Sequence, residues 1–394
     1  MEKMANPGDR TKILLISRNL PPLVGGMERL IYNLAHGLKE YADLTVIGPK
    51  GCSRHLQPGT PVEEVPAALG GFLISSTAAT FRLRNKSRFD LVIGGSGLTA
   101  PILRLASFSL GCKSMLLLHG LDIVVDNILY QSLFAPNLKK IDFVVANSRN
   151  TRKLAIAHGV EPGRITVINP GVEEATPVDL TLIEAFRNRI GIRFDRYMLF
   201  VGRMTKRKGL SCFLRNSLPR ILEKVPDAGL VIVGDDPDHG LDGRGEMNEV
   251  HNALHETGLR NHVLFTGEIS DDDLHICYSG ADVLVLPLID VPGDVEGFGM
   301  VAIEAAARGT PTVAFNLGGV SDAVSGNSGR LVNPDDYASF TDAVCHVMLS
   351  GEPDRDNCIS HSKAFHWHRY HAHVRGIIAQ VIGIQNENHH GTGS

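Results

Sequence analysis

The feature that most constrains the fold of this chain is a succession of short apolar segments, each followed by a stretch with helical periodicity. In the first half these segments are Lys12–Ser17, Leu44–Ile47, Asp90–Ile93, Ser114–Leu118 and Phe143–Ala146. They have the length of strands and lack polar alternation, as is typical of strands covered on both faces. Strand–helix repetition of this kind predicts a parallel, doubly wound sheet.

The same rhythm restarts in the second half and predicts a second sheet. A polar and charged segment, residues 175–195, separates the two series, and the linker is predicted near 171–179. We therefore predict an α/β protein with two Rossmann-like domains, residues 1–175 and 176–367. Open parallel sheets bind ligands at their carboxyl edges, so functional motifs are expected in a cleft between the domains. The apolar segments of the second half are Tyr197–Val201, Gly229–Val233, Val263–Phe265, Val283–Leu286 and Thr312–Phe315.

Composition excludes several classes of protein. The net charge of −4 gives no reason to expect a nucleic-acid partner. The six cysteines include no Cys-x-x-Cys pair, so we interpret them as buried small residues of a reducing compartment. No apolar run approaches the ~20 residues of a membrane span, and the run 13–16 is too short for a signal peptide. These observations favour a cytoplasmic protein.

The strongest motif is DVEGFGMVAIEAAARG, residues 294–309. Two glycines after Glu296 permit a tight turn into a helix, and Glu304 is the only polar residue of the run 298–307. A carboxylate among apolar neighbours is costly unless it is hydrogen-bonded. The vicinal hydroxyls of a ribose would satisfy it. The alternative is a helix with one exposed glutamate above an alanine-rich packed face.

A second motif, VGRMTKRKGL, lies between the end of an apolar strand and a helix predicted to start near Gly209. The helix dipole repels cations at that end, so this arrangement is unfavourable without an anion. A diphosphate would supply the anion. The alternative is a solvated run of charge. The four cations are Arg203, Lys206, Arg207 and Lys208.

Two smaller features follow strands of the first half. Gly25 and Gly26 precede a helix, so backbone amides can approach a ligand closely there; the alternative is a plain glycine turn. His119 stands at the end of a strand before Gly120, a position that favours the cleft over a buried core site.

Together these motifs resemble family 4 of the retaining glycosyltransferases, which have the GT-B fold, over nearly the whole chain. The matches are the E-x7-E pattern Glu296–Glu304 with its EGFG turn, the phosphate loop Gly202, Arg203, Lys208 and Gly209, the Gly25–Gly26 loop and the pair His119–Gly120. The sequence departs from the family at Asp122 and Asp322, where glutamate is usual, and at Pro287–Leu288, where Pro-Ser is usual.

The resemblance implies a nucleotide diphosphate sugar as donor. Arg203 and Lys208, with Gly202 beside them, would hold the pyrophosphate, and Glu304 the ribose. Glu296 would contact sugar hydroxyls. The resemblance also implies that the last helix, about 368–394, crosses back onto the first domain. The remaining implied site residues are Phe298, Gly299 and Met300, whose amides lie near the sugar, His119, which faces the reacting sugar, and Gly25–Gly26, which line the phosphate and acceptor side.

Retaining transfer by double displacement needs two carboxylates about 5–5.5 Å apart. The donor side offers only Glu296, so we predict front-face substitution in which the leaving diphosphate takes the acceptor proton. The predicted reaction moves a hexose, mannose or a relative, to a glycan or lipid-linked acceptor in cell-surface polysaccharide or glycolipid synthesis. Three alternatives stay open: a nucleotide-sugar 2-epimerase, a transferase with a small soluble acceptor, and a binding protein without catalysis.

Several patterns resemble other sites. The D-x-D pairs at 236–238 and 271–273 are interpreted as a polar loop and a helix cap, so we expect no catalytic metal and no cofactor beyond the substrate. The run 95–100 fits a dinucleotide motif but is far from the first strand, and we interpret it as a decoy. An exposed helix face is predicted for His366, His368, His371 and His373, with His389 and His390 beyond it.

Two further expectations concern the base and the membrane. The base pocket is predicted in the loop 266–271 and the loop after Gly234, where Glu268 and Asp271 favour GDP slightly over UDP. The basic run 82–88, with the partly apolar Thr80, Phe81 and Leu83 beside it, predicts peripheral contact with an inner membrane face; a solvated loop is the alternative.

Overall fold

The computed structural model describes residues 10–234 and 246–383. The chain forms two compact units. One comprises Met1–Gly171 together with Trp367–Ser394, and the other comprises Val172–His366. The domain boundaries predicted after residues 175 and 367 lie close to these positions.

The first unit contains, in its described residues, a seven-stranded parallel sheet in the order β3-β2-β1-β4-β5-β6-β7. Its strands are β1 (Thr11–Ile16), β2 (Ala42–Pro49), β3 (Val62–Val65), β4 (Leu91–Gly94), β5 (Lys113–Leu118), β6 (Phe143–Ala146) and β7 (Ile165–Val167). The helices of this unit that precede the second unit in the chain are α1 (Gly26–Tyr41), α2 (Leu69–Arg84), α3 (Ala100–Leu110), α4 (Leu121–Val124), α5 (Ile128–Leu133), α6 (Ala135–Leu138) and α7 (Arg149–Ala157).

The second unit contains, over its described part, a six-stranded parallel sheet in the order β10-β9-β8-β11-β12-β13. Its strands are β8 (Arg196–Val201), β9 (Ala228–Val233), β10 (Val263–Gly267), β11 (Val283–Leu286), β12 (Thr312–Phe315) and β13 (Gly329–Val332). The helices are α8 (Leu180–Ile190), α9 (Leu210–Asn216), α10 (Leu218–Lys224), α11 (Glu246–Thr257), α12 (Asp271–Gly280), α13 (Met300–Ala307), α14 (Val320–Ala323), α15 (Tyr337–Ser350) and α16 (Arg355–Ser362), followed by α17 (Trp367–Val381) in the first unit.

All ten strands predicted from apolar runs are present, and the prediction of two doubly wound sheets is confirmed. The three strands that were not predicted, β3, β7 and β13, are edge strands. An edge strand meets solvent on one side, and β3 reads VEEV, so the uninterrupted apolar signal is absent. The polar stretch after residue 175 also contains a helix that was not predicted, α8, whose N-terminus is capped by Asp179 through the amide of Thr181.

In each sheet the strand order reverses once, between β1 and β4 in the first and between β8 and β11 in the second. Loops leaving neighbouring strands in opposite directions open a crevice at that point, which is where doubly wound sheets bind ligands. Both sheets are covered by buried apolar side chains, so their positions are fixed by the cores.

The last described helix, α17, packs against α1 within the first unit. His371 Nε2 lies 2.9 Å from the carbonyl oxygen of Asn33, and its ring occupies the space that a Cβ on Gly37 would need. The prediction of an exposed histidine face is therefore wrong for His371 and for the buried His366, although His368 and His373 are exposed. His389 and His390 lie outside the described residues.

All six cysteines are free, and four of them are buried. Among the described residues, no helix is long and apolar enough to cross a lipid bilayer.

Candidate functional site

The loops after β8 and β11 meet through charged side chains, at the point where the strand order reverses. Lys208 Nζ lies 2.7 Å from Glu296 Oε2, and the guanidinium of Arg207 bonds to the same oxygen. Arg207 Nε also lies 2.8 Å from Asp294 Oδ1. We call these four residues the charged cluster. Their side chains are only 9% to 14% exposed.

This pairing corrects the argument that the four cations of the loop need an added anion. The charges of Arg207 and Lys208 are balanced by Glu296 and its neighbouring aspartate. By contrast, Arg203 makes no ion pair within the described part of the chain. An ammonium group has three hydrogens to donate, so Lys208 keeps donors beyond the one that Glu296 accepts.

The ionisation of Glu296 follows from its neighbours. Burial would by itself raise the pKa of this carboxyl group, but Lys208 and Arg207 outweigh burial and lower it to about 2. Both cations bond to Oε2, and no described residue donates a hydrogen bond to Oε1. Glu296 is therefore a carboxylate at neutral pH, with one oxygen available to accept a hydrogen bond from a hydroxyl group.

The approach of the two loops depends on a glycine. Gly209 has a φ of 66°, and a Cβ there would lie 1.9 Å from the carbonyl oxygen of Pro287, just after β11. The amide of Ile289 also donates to the carbonyl of Arg207 at 2.9 Å. Only glycine permits this contact, which brings the cations of one loop to the carboxylates of the other.

The helix that carries the second glutamate of the E-x7-E motif, α13, begins at Met300 after Gly299 in the left-handed conformation. The first amides of a helix have no acceptor within it, so the start of α13 offers hydrogen-bond donors. The turn before it is held by the amide of Gly319, which donates to the carbonyl of Glu296 at 2.8 Å. The predicted sugar contacts through the amides of Phe298, Gly299 and Met300 stay a prediction.

Glu304 is half-buried on α13, and its surroundings differ from the apolar ones predicted. Glu304 Oε2 accepts a hydrogen bond from the hydroxyl of Tyr278, on α12, at 3.1 Å. Arg308 lies near enough to interact with Glu304; burial lowers the pKa of this guanidinium, and Glu304 opposes the shift. Sequence reasoning missed Tyr278, because a tyrosine within the apolar run LHICY is typical of core packing.

In the first unit, His119 is 5% exposed, at the end of β5. Its Nε2 lies 2.7 Å from the carbonyl oxygen of Gly95, and since a carbonyl can only accept, Nε2 carries the hydrogen. Asp122 accepts from the amides of His119 and Gly97, both at 2.8 Å. The run 95–100, interpreted as a decoy, therefore forms part of the surroundings of His119. Its role toward a sugar stays a prediction.

The glycine loop after β1 closes through a carboxylate. Gly25 has a φ of 153°, and a Cβ on it would lie 2.5 Å from Glu28 Oε2 in the first turn of α1. Glu28 Oε1 accepts from Asn19 Nδ2 at 2.7 Å. Gly26 then begins α1. The hydrogen bond between Asn19 and Glu28 thus joins the two ends of the loop, and Gly25 and Gly26 lie between these two residues.

The predicted base loop is partly engaged in the fold. The carbonyl of Gly267 accepts from the amide of Gly234 at 3.0 Å, whereas Glu268 and Asp271 are exposed. The D-x-D pair at 271–273 is the first turn of α12, as predicted, with Ser270 as its cap. The pair at 236–238 and most of the loop after Gly234 lie outside the described residues. The described part contains no group of His, Cys, Asp and Glu side chains able to hold a metal ion.

Comparisons with known proteins identify the family to which the chain belongs. The profile of Glycosyltransferase Family 4 matches residues 24–176, and that of Glycosyl transferases group 1 matches residues 195–350. The D-inositol 3-phosphate glycosyltransferase of Acidothermus cellulolyticus is 31% identical over 349 residues, covering 82% of this chain and 74% of that protein. The chain belongs to glycosyltransferase family 4. The enzyme of the same name from Corynebacterium aurimucosum is 30% identical over 253 residues.

Solved structures show the same GT-B fold for this family 4 chain. The Anabaena protein HepE in complex with UDP has a TM-score of 0.76 at 18% identity, covering 94% of this chain and all of that one (100%). Sucrose-phosphate synthase from Thermosynechococcus elongatus has a TM-score of 0.76 at 22% identity, covering 95% and 100%. The chain spans little more than half (57% and 56%) of the first curated relatives it matches.

Proposed function

We propose that this family 4 protein is a retaining glycosyltransferase that moves a hexose from a nucleotide diphosphate donor to an acceptor. The observation that carries the proposal is the pairing of Lys208 with Glu296 at the reversal point of the second sheet. This pairing leaves donors on the ammonium and an acceptor oxygen on the carboxylate. A phosphate and a sugar hydroxyl are the groups that such a pair can bind together.

The donor roles follow from these available groups. Lys208 and Arg203, which has no ion pair among the described residues, would hold the pyrophosphate. Glu296 Oε1 would accept from a sugar hydroxyl, and Glu304, beside Tyr278, would accept from the ribose. In the first domain, His119 and the Gly25–Gly26 loop are assigned to the reacting sugar and the acceptor.

The chemistry proposed is front-face substitution. The bond from the anomeric carbon to the diphosphate oxygen breaks, and the bond to the acceptor oxygen forms on the same face. The acceptor proton passes to the departing diphosphate. Lys208 and Arg203 would stabilise the charge that develops there. Glu296 is a poor candidate for the nucleophile of a double displacement, because two cations already bond to its carboxylate.

The donor proposed is GDP-mannose or a close relative, since the exposed Glu268 and Asp271 offer acceptors for the N1–H and 2-amino groups of guanine. HepE was crystallised in complex with UDP, so uracil is the direct competitor. A thermal-shift series with GDP, UDP and ADP tests the choice, because a ligand raises stability to an extent that depends on its affinity. Tighter binding of UDP than of GDP would overturn it.

The acceptor proposed is a glycan or a lipid-linked sugar of a cell-surface polysaccharide or glycolipid, which would bring the protein to the inner face of the membrane. A small phosphorylated cyclitol is the second candidate, because the curated relatives are D-inositol 3-phosphate glycosyltransferases. Incubation of the donor with inositol 3-phosphate, and separately with a lipid extract, distinguishes the two by the product formed.

One experiment separates transfer from the other activities of this fold. The donor is incubated with and without acceptor, in excess chelator, and the products are followed by NMR. We expect an acceptor-dependent product with the anomeric configuration of the donor. An altered donor sugar without acceptor would instead indicate a 2-epimerase. Loss of transfer in chelator, restored by magnesium or manganese, would overturn the metal-independent mechanism.

A further inference from the structure

An apolar surface covers the outer side of two neighbouring helices of the first domain. Ile74 and Phe81 on α2 are 75% and 43% exposed, and Leu105 and Phe108 on α3 are 38% and 87% exposed. The two helices pack against each other, so their outer sides adjoin. We call these four residues the α2–α3 face.

This exposure is not explained by the packing of the helices. Helix α2 buries Phe72, Ala79 and Leu83 in the domain core, whereas Ile74 and Phe81 lie on its opposite side at helical spacing. A helix that needs solubility alone would carry charged residues at such positions. Grouped, exposed apolar side chains of this size are typical of an interaction surface.

The sequence around this surface is rich in cations, two of which are paired with carboxylates of other elements: Arg82 with Glu63 at 3.0 Å and Lys113 with Asp142 at 3.5 Å. From residue 65 to residue 121, Asp90 is the only acidic residue. The last turn of α2 and the loop after it carry a basic run, and Arg104 lies next to Leu105 on α3. The cations of this stretch are Arg82, Arg84, Lys86, Arg88, Arg104 and Lys113.

We propose that the α2–α3 face docks on an anionic lipid bilayer. Its apolar side chains would enter the interface between headgroups and acyl chains, and the cations would contact the headgroups. A symmetric contact with a second copy is disfavoured, because it would bring the two basic clusters together. From the sequence, the apolar part is assigned to Thr80, Phe81 and Leu83. In the structure Thr80 and Leu83 are buried, so of these three only Phe81 belongs to the face. The other members are Ile74, Leu105 and Phe108.

The inference deepens the proposed function and rests on it, because a docked protein would reach lipid-linked acceptors. Lipid binding itself needs no turnover, so the proposed membrane docking and the proposed glycosyl transfer can be refuted independently of each other. Loss of vesicle binding in the variants below, with transfer to a soluble acceptor unchanged, would support the surface. Absence of transfer with intact vesicle binding would leave the surface in place and overturn the transferase.

The test is co-sedimentation of the full chain with vesicles of phosphatidylcholine, with and without phosphatidylglycerol. We expect binding only with the anionic lipid, and weaker binding at high salt. The double variant Ile74→Ser with Phe108→Ser should lose about tenfold or more in partitioning, since two large apolar contacts disappear. Replacement of Arg84, Lys86 and Arg88 by Gln should cost roughly fivefold per cation.

Matched controls come from the second domain, where Leu180 and Leu349 are 75% and 60% exposed. The double variant Leu180→Ser with Leu349→Ser should bind vesicles like the unchanged protein. Three results would overturn the proposal: no binding to anionic vesicles, equal binding by both double variants, or a dimer in solution that the Phe108→Ser change dissociates.

Discussion

Arg207 Nε lies 2.8 Å from Asp294 Oδ1, and this ion pair joins the loop after β8 to the loop after β11. The same guanidinium bonds to Glu296, so one side chain holds two carboxylates in place. Arg207 thereby fixes the position of Glu296 without needing to touch a substrate itself. This is a role for Arg207 that the sequence motif, which emphasises Arg203 and Lys208, did not indicate.

We predict that Arg207→Ala destabilises the protein by about 3–5 kcal/mol, because removing one partner leaves buried charge uncompensated. Urea unfolding measures the change. Arg207→Lys should recover part of the loss, since a lysine replaces the charge but not the two-sided geometry. The control is Lys206→Ala, which removes an exposed cation from the same turn. Equal stability of Arg207→Ala and Lys206→Ala would contradict the prediction.

Arg203→Ala and Lys208→Ala should each cost roughly 2–4 kcal/mol of transition-state stabilisation, by analogy with the loss of other electrostatic donors. The measurement is kcat/KM for the donor. Arg203 makes no ion pair within the described part of the chain, so its variant should unfold like the unchanged protein. Normal turnover by both variants would show that the pyrophosphate binds elsewhere.

The lowered pKa of Glu296 predicts a pH dependence of stability. The folded value is about 2 and the ordinary value is 4.5, so the unfolded chain takes up the proton first as the pH falls. The stabilisation is present above pH 4.5 and is lost as the pH falls toward 2. The difference in unfolding free energy between the unchanged protein and Glu296→Gln should therefore shrink over this window. A difference that stays constant with pH would mean that the pKa is not lowered.

Tyr278→Phe removes the hydroxyl that donates to Glu304 and should weaken nucleotide binding by about 0.5–1.5 kcal/mol. Calorimetric titration with nucleoside diphosphates measures the loss. The matched control is Tyr197→Phe, because that hydroxyl donates to the carbonyl of Cys277 instead of to Glu304. If both variants lose the same affinity, the effect is a general one of the domain core and not of Glu304.

The sequence predicted the strands inside the two sheets better than the edge strands and the exposed helix. Strands buried on both faces carry an uninterrupted apolar signal, and Phe143–Ala146 and Val283–Leu286 match the structure at both ends. The edge strand Val62–Val65 carries two central glutamates and was missed. Helix Leu180–Ile190 was missed because the segment 175–195 that contains it was interpreted as polar, although six of the eleven residues of the helix are apolar. Most of its residues are exposed or half-buried.

The sequence predicted which residues lie at the site, but it did not predict the hydrogen bonds and ion pairs between them. Strand order and motif spacing are enough to bring the loops carrying Lys208 and Glu296 to one sheet edge. They do not say that these two side chains, 88 residues apart, bond to each other. Sequence spacing also gives no sign that Tyr278 reaches Glu304, or that Asp122 ties the surroundings of His119 together. Contacts of this kind depend on how loops and helices pack in three dimensions, which the spacing of residues along the chain does not give.

The return of α17 to the first unit has a consequence for synthesis on the ribosome. Unit Val172–His366 is one continuous segment and can fold as soon as it has emerged. The first unit cannot complete its fold at that stage, because α17 packs on α1 only after the whole of the other unit has been translated. Until then the side of α1 around Asn33 and Gly37, which His371 covers in the finished fold, is exposed on the nascent chain. The domain that is begun first is thus the last to be completed.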